Sequence, residues 1–281
     1  MLATSSSQQR LFNWLIVLVL CAGVIIAIGP MLYMISTAFK SQTYVLEIPP
    51  RLIPEQPTLE NFQTAFSSRN FGRAFLNSAF VALSTALLVT ALASMMAYAF
   101  ARFEFRGKKT IFAVLLVMLM IPGVVLLIPQ FILAKSLGLL NSLPGLVLVY
   151  SAGPLAFNTF LLRGFFENLP RELEESAVID GANPFTIFTR IMLPLAAPAV
   201  STVAVFSFLG AWDEYLLALN FLTDETLRTL PIAIANFRGQ HATDWGLVFA
   251  GSLTAVVPTV LLFVFFQRYF IQGLTSGAVR G

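Results

Sequence analysis

The chain has 281 residues, of which 57% are hydrophobic and 11% charged, with a formal net charge of +3, a pI near 9.2 and a mean hydropathy of +0.81. That balance lies far outside soluble globular domains and is that of an all-α, polytopic membrane protein. The Lys and Arg residues stand at the ends of apolar runs, where they set membrane orientation, so the basic pI does not signal nucleic acid; the single Cys21 excludes an intramolecular disulfide and an all-cysteine metal site.

Residues 1–10 form a polar tail rich in Ser and Gln that ends in Arg10. Residues 11–39 are a first membrane span, longer than the roughly 20 residues a bilayer needs, with Gly29-Pro30 as the expected kink. A cleaved signal peptide is disfavoured, because the run outlasts a signal's apolar region and no small-residue cleavage site follows. Residues 40–73 carry Pro49, Pro50, Pro54, Pro57 and mixed charge, which places them outside the bilayer as an external loop with a surface helix over 59–66. The core of the protein is then residues 74–270.

Residues 74–101 are the second span, and Arg102, Arg106, Lys108 and Lys109 follow it at once, a cationic cluster expected on the cytoplasmic side. Gly107-Lys108-Lys109-Thr110 lacks the upstream glycine and the Lys-Ser/Thr pair of a phosphate-binding loop. The third span, 110–134, is interrupted by Pro122-Gly123 and Pro129. A short outer turn, 135–142, leads to the fourth span, 143–166, where Arg163 can extend its head to the interface.

Residues 171–198 are a charged island in this apolar chain. Glu172, Glu174 and Glu175 suit the first turn of a short helix after Pro170, and Gly181 suits the left-handed corner that ends it. Asn183-Pro184 restarts a helix on which Phe185, Phe188 and Met192 are expected to share a face, and Leu193-Pro194 is expected to end it. A helix, a glycine corner and a helix with aromatic knobs suit a partner's groove.

Beyond the island, 195–222 is the fifth span, 223–244 an outer loop and 245–270 the sixth span, with Trp245 suited to the outer interface and Arg268 to the inner one. Residues 271–281 form a short tail. Six spans put both termini and the loop 167–192 in the cytoplasm. The one histidine, His241, sits in a polar loop without partner residues and reads as a surface residue. No Walker A, HExxH, CxxC or nucleophile-elbow segment is present, so the chain has no catalytic residues, no metal site and no means of hydrolysing ATP.

Glu175, Ala177, Gly181, Ile191, Leu193 and Pro194 have the order and spacing of the EAA motif of ABC importer permeases. Asp180-Gly181-Ala182, Phe188, Leu193-Pro194-Leu195, Pro198 and the C-terminal GLTSGAVRG resemble the carbohydrate, maltose-system-like branch of that family. Ser176 departs from the usual second-position Ala, a small helix-compatible change.

The resemblance implies a type I importer permease fold in a bacterial inner membrane, moving a sugar or sugar-like solute by alternating access. It implies a second homologous permease, two ABC ATPase subunits and an external solute-binding protein as partners, with ATP and Mg bound by the ATPase and no cofactor in this chain. Glu175, Ala177, Asp180, Gly181, Phe185, Phe188, Ile191, Leu193 and Pro194 would be the ATPase-coupling residues.

For the translocation path, Asp213 and Glu214 are the clear acidic pair inside an apolar run, and intramembrane carboxylates default to function. Trp212 or Tyr215 could stack on a sugar face, and Asn77 is a further polar candidate. The opposing reading makes Asp213 and Glu214 helix caps, and makes Asn77, Ser78 and Asn158 bonds between helices. A glycerophosphodiester importer, an ion-coupled secondary transporter and a membrane scaffold are the alternatives weighed.

Overall fold

The computed structural model describes residues 6–41, 44–45, 47–49, 51–68, 70–239 and 243–278, with side chains from residue 9 to residue 267 of these. His241 and the side chain of Arg268 lie outside the described residues, as do residues 1–5 and 279–281. The chain divides into two units, residues 1–69 with 234–256, and residues 70–233 with 257–281.

In the first unit, α1 (Ser6–Ala38) begins five residues before the expected span and continues through Pro30. The segment that follows is folded rather than merely extramembranous. Lys40 is only 2% exposed and pairs with Glu47 at 3.1 Å. Asn61, on α2 (Glu60–Ser67), donates to the carbonyls of Ala38 at 2.9 Å and Lys40 at 2.6 Å. Those are carbonyls that the end of α1 leaves without intrahelical partners. Asn61 and Ala65 are buried, so the expected surface helix has an inner face.

The second unit is built on α3 (Phe71–Arg102), which packs on α6 (Leu143–Glu167) and α10 (Ala197–Trp212). The buried stripe Ala74, Ser78, Ala82, Ala86 continues as Val89, Ala93, Ala97, Ala101. Small side chains at this spacing let helix backbones approach closely, which is how helices associate where lipid removes the hydrophobic drive between them.

The third span breaks at Pro122-Gly123 as expected, whereas Pro129 lies within an unbroken helix. It is α4 (Lys108–Met118), a 3₁₀ turn (Gly123–Leu126) and α5 (Leu127–Ser136), bent by 98°. Pro122 has no N–H to continue the ladder, and Gly123 adds no side chain to support it. The segment from Pro184 to Leu195 meets α10 at 82°. Four described helices are long and apolar enough to cross a membrane, six spans if each bent pair is one.

The turn from α5 to α6 is tied from both ends. Asn141, at φ +55°, donates its N–H to the Phe221 carbonyl at 2.9 Å, and its Oδ1 accepts from the backbone of Thr223 and Asp224. Ser142 caps α6 by accepting from Gly145 N at 3.3 Å. The remaining helical elements among the described residues are α7 (Glu172–Ile179), α8 (Pro184–Ile187), a π turn (Phe188–Met192), α9 (Leu193–Leu195), α11 (Leu216–Phe221), a 3₁₀ turn (Glu225–Leu227), α12 (Leu230–Ala235) and α13 (Trp245–Ala278). α13 runs eight residues past the expected end at 270, because no proline after Pro258 interrupts its backbone ladder.

A Cβ on Gly145 would lie 2.1 Å from the Leu139 carbonyl oxygen, whereas one on Gly164 would meet nothing within 4 Å. Gly145→Ala should therefore cost about 1–3 kcal/mol by overpacking. The measurement is the thermal unfolding midpoint of the purified protein, lowered in Gly145→Ala and unchanged or slightly raised in Gly164→Ala, where Ala favours the helix.

Candidate functional site

The charged island folds as two short helices around a corner. Glu172, Glu174 and Glu175 occupy the first turn of α7, where negative charge complements the helix dipole. At its end Gly181 has φ +81°, and its N–H bonds the Val178 carbonyl at 3.0 Å while Ala182 N–H bonds that of Ala177 at 2.9 Å. The space beside Gly181 is open, so only the left-handed backbone demands a glycine. Asn183 then caps α8, its Oδ1 accepting from Thr186 N at 2.8 Å, with Pro184 at the first helical positions.

The aromatic face is divided in a way the 3.6-residue period does not anticipate. Phe188 and Met192 are buried with Ile187, while Phe185 is 70% exposed. Phe188–Met192 is a π turn, and the wider turn brings Ile187 and Met192, five residues apart, to the same inner side. Leu193-Pro194 does not end this segment. The widened turn before Pro194 makes room for its ring, helix continues to Leu195, and the chain turns at Ala196.

The inner face of the island belongs to a core at one end of α3 and α6. Ala177, Ile187, Phe188, Met192 and Ala196 are buried there, with Ile191 and Leu193 packed against them. The Tyr98 ring is 5.1 Å from Phe188 and 5.8 Å from Phe166. Tyr98 OH donates to Glu174 Oε2 at 2.9 Å, and the Arg102 guanidinium pairs with Glu174 Oε1 at 2.5 Å. Arg102 also donates to the Leu169 carbonyl at 2.7 Å.

Tyr98 did not stand out in the sequence, and Arg102 and Glu174 were read there only as a flanking cation and a first-turn carboxylate, not as partners. The one legible trace is that Tyr98 and Arg102, four apart, share a face at the end of a span. Glu174 is thus turned inward, while Glu175, Asp180 and Gly181 are exposed. Val178, Ile179 and Phe185 are 60%, 85% and 70% exposed, so the corner presents apolar side chains beside the exposed carboxylates of Glu175 and Asp180.

A second feature of this unit is a cavity of about 750 Å³ between α3, α5, α6, α10 and α11. Its walls are mostly apolar, and its polar groups come from Thr85, Gln130, Tyr150, Asn158, Ser207 and Glu214. The Glu214 carboxylate accepts the Tyr150 hydroxyl. It also accepts the backbone N–H of Leu217 at 2.7 Å and of Ala218 at 3.0 Å. Glu214 is therefore both a cavity group and the cap of α11, and the expected fifth span breaks at residues 213–215. Asn158 reaches Ser207 at 3.4 Å.

The other path candidates fall elsewhere. Trp212 is 2% exposed, stacked on Phe208 at 5.6 Å and edge-on to Phe75, so it has no face left for a solute. Asp213 ends α10 and, with Tyr215, is exposed outside the cavity lining. Asn77 donates to the carbonyls of Thr226 and Arg228, both at 3.0 Å, and braces the loop there. Ser78 accepts from Leu230 N at 2.8 Å. Tyr150 and Gln130 were not singled out in the sequence, because one Tyr or Gln in a span carries no periodic signal.

The model of the family described as "Binding-protein-dependent transport system inner membrane component" matches residues 62–276. The diacetylchitobiose uptake system permease protein NgcG of Streptomyces coelicolor is 37% identical, with 98% of this chain and 92% of that protein covered. The trehalose transport system permease protein SugB of Mycobacterium tuberculosis is 35% identical, with 97% and 99% covered. Among solved structures, a chain of a bacterial ABC transporter involved in import of the acidic polysaccharide alginate superposes with a TM-score of 0.84 at 22% identity, covering 96% of this chain and all of that one. At that identity the likeness shows the fold.

Removing the Glu174 carboxylate would leave Arg102, 6% exposed, without its counter-charge. Breaking a buried pair from one side costs roughly 3–5 kcal/mol. Glu174→Ala should lower the thermal unfolding midpoint and expose residues 169–192 to protease, while Glu175→Ala should leave both at wild-type values.

Proposed function

We propose a working cycle for this chain, which belongs to the family of binding-protein-dependent transport system inner membrane components. It is the membrane-spanning permease subunit of an ABC importer, a multi-pass inner-membrane transport component and not an enzyme. In this cycle the cargo is a sugar or sugar-like solute. The chain pairs with a second homologous permease, contacts two ATPase subunits that bind ATP and Mg, and receives solute from an external binding protein. Both termini, residues 102–109 and the loop 167–192 face the cytoplasm, which the cationic cluster supports.

The observation that carries the coupling role is the two-sided build of residues 172–195. One side is anchored in the core by Ala177, Phe188, Met192 and the Arg102–Glu174 pair. The other offers Val178, Ile179, Phe185, Glu175 and Asp180 to a partner. Apolar side chains this exposed in a segment too polar to lie in lipid fit a helix seated in an ATPase groove. Closure of the ATPase pair would push the anchored segment, and with it the ends of α3 and α6, as a rigid body between two states. Ile191 and Leu193 serve the anchor, Pro194 is exposed, and Phe185 serves the contact.

The cavity is the part of the path we assign to this subunit, with Tyr150, Glu214, Gln130 and Asn158 as hydrogen-bond partners for solute hydroxyls. A mostly apolar wall with a few converging polar groups is the usual build of a small-molecule site.

Two measurements test the reading. Gly181→Val forces a branched residue into the left-handed region, at a cost of about 1–2 kcal/mol. It should reduce ATPase co-purification and abolish the stimulation of hydrolysis by loaded binding protein in liposomes, while membrane insertion survives. Wild-type values in both assays would remove the coupling role. Separately, Glu214→Gln keeps a carbonyl oxygen to cap α11 but removes the charge facing the cavity. Solute uptake should fall several-fold with assembly intact, and unchanged uptake would leave Glu214 as a cap alone.

A further inference from the structure

We propose that a cavity where α3 ends, α4 begins and α6 ends binds the phosphate headgroup of an anionic phospholipid. The cavity measures about 600 Å³, within the range of about 300–1,000 Å³ common to small-ligand sites. Arg102, Lys108, Lys109, Arg163 and Arg171 converge on it against two carboxylates, Glu104 and Glu167.

The acids do not neutralise the site. Glu104 is held by Lys108 at 2.8 Å, Glu167 by Arg163 at 2.8 Å, and Arg102 is committed to Glu174. Lys109 and Arg171 form no ion pair among the described residues. Five cations against Glu104, Glu167 and the adjoining Glu174 leave the cavity net positive, which makes it an anion site. The Arg163 guanidinium lies 4.0 Å over the Phe112 ring, which fixes it in place.

Orientation in the membrane depends only on how many cations flank a span, so it does not require heads from three elements to meet. The wall decides the ligand's character. Phe112, Ala113 and Leu116 of α4 line one side. Ile111, Val114 and Val117 of the same helix are exposed beside them, on a face fit for acyl chains. A free phosphate would use the cations and leave this wall unfilled. A lipid fills both.

The test uses the full-length chain purified with its co-purifying partners, delipidated and equilibrated in mixed micelles of equal phosphatidylglycerol and phosphatidylcholine, with bound lipid counted by native mass spectrometry. Phosphatidylglycerol should be enriched over phosphatidylcholine. A cation at the membrane surface is worth about fivefold in affinity, so Lys109→Gln with Arg171→Gln should weaken phosphatidylglycerol binding by roughly 25-fold. Lys109→Arg with Arg171→Lys should preserve it, which separates charge from folding. Arg106→Gln, outside the cavity lining, should leave it unchanged.

Several results would overturn the proposal: equal retention by wild type and the double Gln variant, equal loss in Arg106→Gln, or full displacement of phosphatidylglycerol by inorganic phosphate, which would mark a free-anion site. Unchanged lipid with loss of the ATPase in the double Gln variant would assign these cations to a protein contact instead.

Discussion

The carboxylate of Glu174, held between the Tyr98 hydroxyl and the Arg102 guanidinium, is the contact on which the island's placement depends. Arg102 closes a 32-residue apolar helix and is almost wholly buried, so it requires a counter-charge. That counter-charge comes from α7, and the same guanidinium also holds the Leu169 carbonyl at the start of the island. One side chain therefore joins the end of α3 to both ends of the turn that leads into α7. The island is thereby tied to the end of α3 by side-chain contacts and not only by the backbone between them.

The rest of the helical packing follows membrane rules. α3 approaches its neighbours along Ala and Ser, and polar side chains bridge where backbones leave groups unpaired. Asn77 holds the carbonyls of Thr226 and Arg228, and Ser78 holds the Leu230 N–H. Ser142 and Asn141 bind the turn before α6. Such bonds are worth more for register than for bulk stability, since each contributes only about 1 kcal/mol in a membrane interior.

The breaks in the helices matter as much as the helices. The 98° bend at Pro122-Gly123 brings Gly123, Val124, Leu127 and Gln130 to the cavity. The break at 213–215 leaves the N–H groups of α11 to be capped by Glu214 from inside the same cavity. Irregular backbone within apolar segments is tolerated where it is buried in protein or lines a cavity, and both breaks meet that condition.

Much of this was legible in the amino-acid sequence. The spans follow from apolar runs of sufficient length, and the glycine corner and Asn183-Pro184 cap follow from local backbone preference, which needs no knowledge of neighbours. The inward Glu174, the burial of Trp212, the bracing role of Asn77 and the split between Phe185 and Phe188 were decided by tertiary structure. Glu174 and Glu175 are chemically alike and adjacent, and only the position of Arg102, 72 residues earlier in the chain, selects between them. Likewise a π turn shifts a helix face by one residue; Pro194 just beyond it is a local trace, but which side chains it turns inward is set by the core built from α3 and α6.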